Sequence, residues 1–232
     1  MTTTLENARQ TILSRISTAE RTAGRSAGAV SLLAVSKTFP ASAVRELYLA
    51  GQYAFGENYV QELVAKSDAL ADLPGLIWHF IGPLQSNKTR AVAERAHWVH
   101  SIDRLKIAER LSSQRPTHLP SLNVCLQVNV SGEASKSGCQ PEDAVSLAAE
   151  IAELPRLTLR GLMCIPEPTD DLQRLRQQFI SLRQLFEQLQ KAGYPLDTLS
   201  MGMSADLELA IAEGATLVRV GTAIFGARSQ HP

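Results

Sequence analysis

The sequence predicts a closed parallel (β/α)8 barrel, a TIM barrel, with one extra helix at its N-terminus. Three observations lead there. Eight short apolar runs rich in β-branched residues recur along the 232 residues, at 29–36, 53–56, 76–82, 97–102, 122–130, 157–165, 198–203 and 215–221. Several are apolar almost throughout instead of alternating, which suits parallel strands covered on both faces. Helical patterns fill the intervals, and no linker is long enough to divide the chain, so residues 1–232 read as a single domain.

The elements follow in order. Leu5, Ala8, Ile12, Ile16 and Ala19 recur at helical spacing ahead of the first strand. The run AVSLLAVS (29–36) leads into Lys37, and a helix over 41–50 opens after Pro40 and stops at Gly51. YAFG, LIWHFIG, HWVHSI and LNVCLQVNV supply strands two to five, with helices expected at 58–70, 86–95, 103–112 and 141–153. LTLRGLMCI is followed by the clearest helix, in which Leu172, Leu175, Phe179, Leu182, Leu185 and Leu189 step by three and four before Gly193. TLSMGM with a helix over 204–213, then ATLVRVG, complete the series. Only eleven residues follow Gly221, too few for a full eighth helix and a tail, and the N-terminal helix can fill that gap in the outer ring. An open doubly wound sheet is the structural alternative, but its usual Gly-rich dinucleotide loop is missing from the first strand–helix turn.

Composition narrows the function. The chain carries 23 basic and 23 acidic residues, so charge gives no reason to expect nucleic acid or an anionic membrane as partner. No apolar run approaches the roughly 18–20 residues of a membrane span. The start, MTTTLENARQ, lacks a secretion pattern. Cys125, Cys139 and Cys164 are an odd set without paired spacing and fit reduced thiols. The expectation is a cytoplasmic protein of metabolic type, monomeric because no long apolar stripe is left over once the barrel helices are assigned.

In such barrels chemistry sits at the C-terminal ends of the strands. Those ends read Lys37, Gly56-Glu57-Asn58, Gly82-Pro83, Ser101 with Asp103, Asn129, Met163, Gly202-Met203-Ser204, and Arg219 with Gly221-Thr222. Lys37 has two readings. It is a solvated lysine, or one paired with Glu57, or else an amine partly desolvated by its apolar flanks and so nucleophilic enough for a Schiff base. The loops after strands seven and eight often hold a phosphate. Gly202 permits close backbone approach there, and Ser204 and Gly221-Thr222 each offer a hydroxyl and N–H groups to an anion. Ordinary helix capping would also explain Ser204. A lysine opposite two such loops suits a phosphorylated carbonyl compound, and pyridoxal 5′-phosphate meets that description.

Other polar residues carry less. His79, between Trp78 and Phe80, reads as packed and hydrogen-bonded. His97 and His100 lack the further ligands of a zinc site. Glu57 and Glu62 could form an acid–base pair, but Glu62 falls on a helix face and reads as solvated. Lys136 reads as a surface lysine first, and as a contact to the phosphate ester or an acceptor of the aldehyde second.

The stretches LLAVSKTFP (32–40), FGENYVQE (55–62), WHFIGPLQSNK (78–88), SIDR (101–104), SKSG (135–138), RGLMCIP (160–166), SMGMSADLELAI (200–211) and RVGTAIFGAR (219–228) resemble the pyridoxal phosphate homeostasis protein family, in order and over nearly the whole chain. The resemblance implies a barrel of the pyridoxal-phosphate-binding type, similar to the N-terminal domain of alanine racemase. It implies that the cofactor forms a Schiff base with Lys37, that Ser204 and the Gly221 and Thr222 backbone hold the phosphate, that Arg219 faces the pyridine nitrogen, and that Asn58 flanks the ring. Phe39 and Ala205 depart from the family, whose members often have a basic and an acidic residue there. An arginine opposite the pyridine nitrogen stays protonated and keeps that nitrogen unprotonated, which makes the ring a poor electron sink. The function implied is intracellular cofactor homeostasis, supplying apo-enzymes through transient contacts and without turnover. The alternative is a small pyridoxal-phosphate-dependent amino-acid racemase, which would need a second base that 232 residues spent on a barrel leave little room for.

Overall fold

A computed structural model of the chain describes residues 4–132 and 137–226. Lys136 lies outside the described residues. Eight parallel strands close on themselves in sequence order. They are β1 (Ser31–Val35), β2 (Ala54–Glu57), β3 (Ile77–Phe80), β4 (Trp98–Ile102), β5 (Leu122–Gln127), β6 (Leu157–Met163), β7 (Thr198–Ser200) and β8 (Leu217–Val220). Pairing of Leu33 with Arg219 and of Ala34 with Val220 joins the first strand to the last. The strands are buried along most of their length, as their apolar runs anticipate. In β8, for example, all four residues are buried.

The outer ring comprises α1 (Leu5–Thr22), α2 (Ala41–Leu49), α3 (Val60–Ala69), a 3-10 turn at Ser86–Lys88 running into α4 (Thr89–Arg95), α5 (Leu105–Gln114), α6 (Ala144–Ala152), α7 (Leu172–Lys191), α8 (Leu207–Ala212) and α9 (Thr222–Phe225). The short α9 is all that follows β8 among the described residues, and α1 packs against α8, α9 and α2. The N-terminal helix thus closes the ring where the eighth helix is short. It buries Ile12, Ile16 and Ala19 and caps its own start with the Thr4 hydroxyl, which accepts from the Asn7 N–H at 3.2 Å.

Most expected elements lose a few residues at their ends, and two of these shortenings bear on the barrel mouth. The strand expected over 198–203 stops at Ser200, because the chain turns sharply at Gly202 (φ +94°). A Cβ at Gly202 would stand 2.6 Å from the Ala210 Cβ, so a side chain is excluded there twice over. The helix expected over 204–213 begins at Leu207, with Asp206 as its N-cap residue. Ser204 is therefore in a turn, not at the helix start. The Asp206 carboxylate accepts from the Met203 N–H and ties that turn together.

Candidate functional site

The strand ends converge on a cavity of about 320 Å³ at the C-terminal mouth. Lys37, Asn58, Ser204, Arg219, Gly221 and Thr222 all line it. Val35, Phe39, Ile81, Ile165 and Met203 supply its apolar walls. The volume lies at the low end of the range usual for small-molecule sites, roughly 300–1,000 Å³.

Lys37 is half-buried and sits in a turn directly after β1. The Phe39 N–H donates to the Ser36 carbonyl at 3.1 Å, making Lys37 and Thr38 the two central residues of that turn. Its supposed partner, Glu57, is engaged elsewhere. Glu57 is fully buried at the end of β2 and pairs with Lys66 of α3 at 2.8 Å. It also accepts from the Ser36 hydroxyl at 2.5 Å. Burial pushes the Glu57 carboxyl up to about 7, against the pull of the Lys66 ammonium and the hydrogen bonds. Glu62 departs from the solvated reading: its carboxylate accepts from the Thr38 N–H and from Lys66 Nζ, both at 2.7 Å.

Arg219 projects from β8 into the barrel and is almost wholly buried. Its Nη1 donates to the carbonyl and the hydroxyl of Ser200 at 2.6 and 2.7 Å, and its Nη2 donates to the Cys164 carbonyl at 2.7 Å. Burial draws its pKa down from the ordinary value, yet an arginine remains charged near neutrality. Three of its five N–H donors are thus used by the barrel, and two have no partner among the described residues. Beneath it, His100 Nδ1 lies 2.8 Å from the Ser200 hydroxyl and His100 Nε2 lies 2.9 Å from His79 Nδ1. Burial lowers both histidines, His79 to about 3, so both are neutral. Arg219 can only donate, so we assign the chain as Arg219 to Ser200, Ser200 to His100, and His100 to His79. His79 is the packed, hydrogen-bonded residue expected from sequence.

On the other flank, Asn58 Oδ1 is buried with no partner among the described residues. Gly82 packs so closely on this segment that a Cβ there would meet the Asn58 carbonyl oxygen at 2.0 Å. At the β7 and β8 ends, the Ser204, Ala205 and Thr222 backbone N–H groups donate to no acceptor among the described residues. Arg15 of α1 holds the Ser204 carbonyl at 3.0 Å while pairing with Glu208. In strand order around the mouth the cavity therefore has the Ser204 turn after β7, Arg219 with Gly221 and Thr222 at β8, the Lys37 amine after β1 and the orphaned Asn58 amide oxygen after β2. Those groups match the aldehyde, phosphate and pyridine ring of pyridoxal phosphate, and an unpaired buried amide oxygen is a group that a ligand donor would satisfy.

Fold and site together define a (β/α)8 barrel whose C-terminal mouth holds one cavity of small-molecule size lined by a lysine and an arginine. The model of the alanine racemase N-terminal domain family matches residues 9–229. A pyridoxal phosphate homeostasis protein of Pseudomonas aeruginosa is 61% identical over 228 residues, covering 98% of this chain and 97% of that protein. The solved structure of PipY of Synechococcus elongatus with PLP bound is 41% identical, with a TM-score of 0.80, and covers 91% of this chain and 100% of its own. Alanine racemase of Corynebacterium glutamicum shares the fold alone, at 17% identity and a TM-score of 0.68, this chain spanning 60% of its length. The chain belongs to the pyridoxal phosphate homeostasis protein family.

The six residues singled out from the sequence lie at or within a few residues of strand ends, and the barrel brings them to this one cavity. Sequence reasoning missed the residues that hold them: Ser200 and the Cys164 carbonyl behind Arg219, Glu62 and Lys66 behind Lys37, and Arg15 behind Ser204. Of these, only Glu62 and Lys66 leave a signal, a Glu–Lys pair at i,i+4 in α3.

Proposed function

We propose that this protein binds pyridoxal 5′-phosphate at the barrel mouth, holds its aldehyde as a Schiff base on Lys37, and serves cofactor homeostasis as a carrier without catalytic turnover. The convergence of Lys37, Asn58, Ser204, Arg219, Gly221 and Thr222 on one cavity carries this reading. The Lys37 amine condenses with the aldehyde, forming a C=N bond and releasing water. Ser204, Thr222 and nearby N–H groups take the phosphate. Arg219 donates to the pyridine nitrogen and leaves it unprotonated, while Asn58 sits on the ring's other flank. When bound, the cofactor supplies a reactive aldehyde and an electron-withdrawing ring.

The racemase alternative needs a second acid–base group facing the ligand. Among the described residues lining the cavity, Lys37 and Arg219 are the only ones with ionisable side chains, which favours the carrier. The same reading has one domain over 1–232 acting as a cytoplasmic monomer that meets recipient apo-enzymes transiently. Exchange of the α-hydrogen of L-amino acids in heavy water tests it. No exchange above that of free cofactor supports the carrier, and exchange lost in Lys37→Ala would establish an enzyme.

A further inference from the structure

The turn that presents Lys37 is built against the preference of its own residues. Thr38 has φ +69°, in the left-handed region that a β-branched residue rarely adopts, and it stands where Gly or Asn normally serves in a turn of this kind. Such a conformation persists only where the surroundings over-determine it. Here α3 grips the turn at two points. The Glu62 carboxylate accepts the Thr38 N–H at 2.7 Å, and Lys66 Nζ donates to the Ser36 carbonyl at 2.7 Å. The same ammonium bridges Glu62 and Glu57, at 2.7 and 2.8 Å, so its three donors are all committed. At the far end, Phe39 stacks on Phe225 with ring centroids 5.0 Å apart.

A solvated i,i+4 pair would do none of this. The Lys66 side chain is only 6% exposed and both members reach backbone groups of another element. Fixing Ser36 and Thr38 leaves Lys37 between two held peptides, with its side chain lining the cavity. Resting on the reading that Lys37 holds the aldehyde, we propose that Glu62 and Lys66 are positioning residues, which hold Thr38 in its strained turn and thereby aim the Lys37 amine at the ligand.

The test separates aim from binding. Pyridoxal 5′-phosphate can form a C=N bond, whereas pyridoxine 5′-phosphate has the same phosphate and ring but an alcohol in place of the aldehyde. Glu62→Ala is expected to lower the equilibrium constant for imine formation about tenfold, corresponding to about 1.4 kcal/mol. Its affinity for pyridoxine 5′-phosphate should match that of the wild type. Glu62→Gln, which keeps an acceptor for Thr38 but loses the charge, should fall between them, and it serves alone if the alanine variant does not fold. Adding Thr38→Gly, which is at ease at positive φ, should shrink the loss caused by Glu62→Ala. Equal losses for both ligands, no loss in the imine equilibrium constant, or strict additivity with Thr38→Gly would overturn the proposal. A wild-type protein that forms no imine on Lys37 would instead overturn the reading beneath it.

Discussion

Lys66→Met probes the buried charge cluster beneath the lysine turn. The substitution keeps side-chain length but removes a cation whose partners are Glu57, Glu62 and the Ser36 carbonyl. Glu57 is fully buried and its second carboxylate oxygen, Oε2, has no partner among the described residues, so the variant leaves an uncompensated buried carboxylate. Breaking a buried pair in this way costs about 3–5 kcal/mol. At about 2–4 °C per kcal/mol for a chain of this size, melting should fall by roughly 10 °C. The loss should depend on pH. Burial raises Glu57 from 4.5 to about 7, so the folded state favours the protonated form, and that stabilisation is full below the unfolded value and lost as pH rises through the folded one. Lys66 lowers Glu57, so removing it moves the carboxyl further up and deepens the alkaline loss. Urea unfolding at about pH 6 and about pH 8.5 should show the larger deficit at the higher pH, and Glu57→Gln added to the variant should recover much of it. A deficit below about 1 kcal/mol, or one equal at both pH values, would mean that the pair behaves as an exposed one and would refute the reasoning.

Two further outcomes are expected. Ser204→Asp puts a negative charge in the phosphate cradle, so affinity for pyridoxal 5′-phosphate should fall at least about tenfold in a fluorescence titration while that for unphosphorylated pyridoxal is unchanged. The three thiols are buried, Cys139 pushed up to about 11 and Cys164 to about 12 by burial, and Cys125 higher still. A thiol reagent near neutral pH should therefore label none of them quickly until the chain is unfolded by denaturant.

The barrel was legible because parallel strands covered on both faces leave continuous apolar runs, and because a known rule ties chemistry to one end of those strands. That combination reached a wider ring of strand-end residues, and the family resemblance singled out Lys37, Asn58, Ser204, Arg219, Gly221 and Thr222 among them. Local ambiguity hid the start of α8: Ser204 and Asp206 both precede Leu207 and both suit an N-cap, and only the fold of the turn makes Asp206 that residue. Tertiary burial hid the support of the lysine turn. Glu62 reads as solvated and Lys66 goes unnoticed because helix periodicity describes one helix, whereas their partners Ser36, Thr38 and Glu57 come from β2 and the turn between β1 and α2. Arg15 escaped for the same reason, since its contact with the Ser204 carbonyl spans 189 residues of sequence.

The most direct test of the central claim is to mix the protein with pyridoxal 5′-phosphate, reduce it with borohydride, and locate the modified residue by mass spectrometry. The account predicts a phosphopyridoxyl group on Lys37 of the wild type, bleaching of the visible imine band on reduction, and neither in Lys37→Ala. A band that survives Lys37→Ala, or a label found on another lysine, would contradict it.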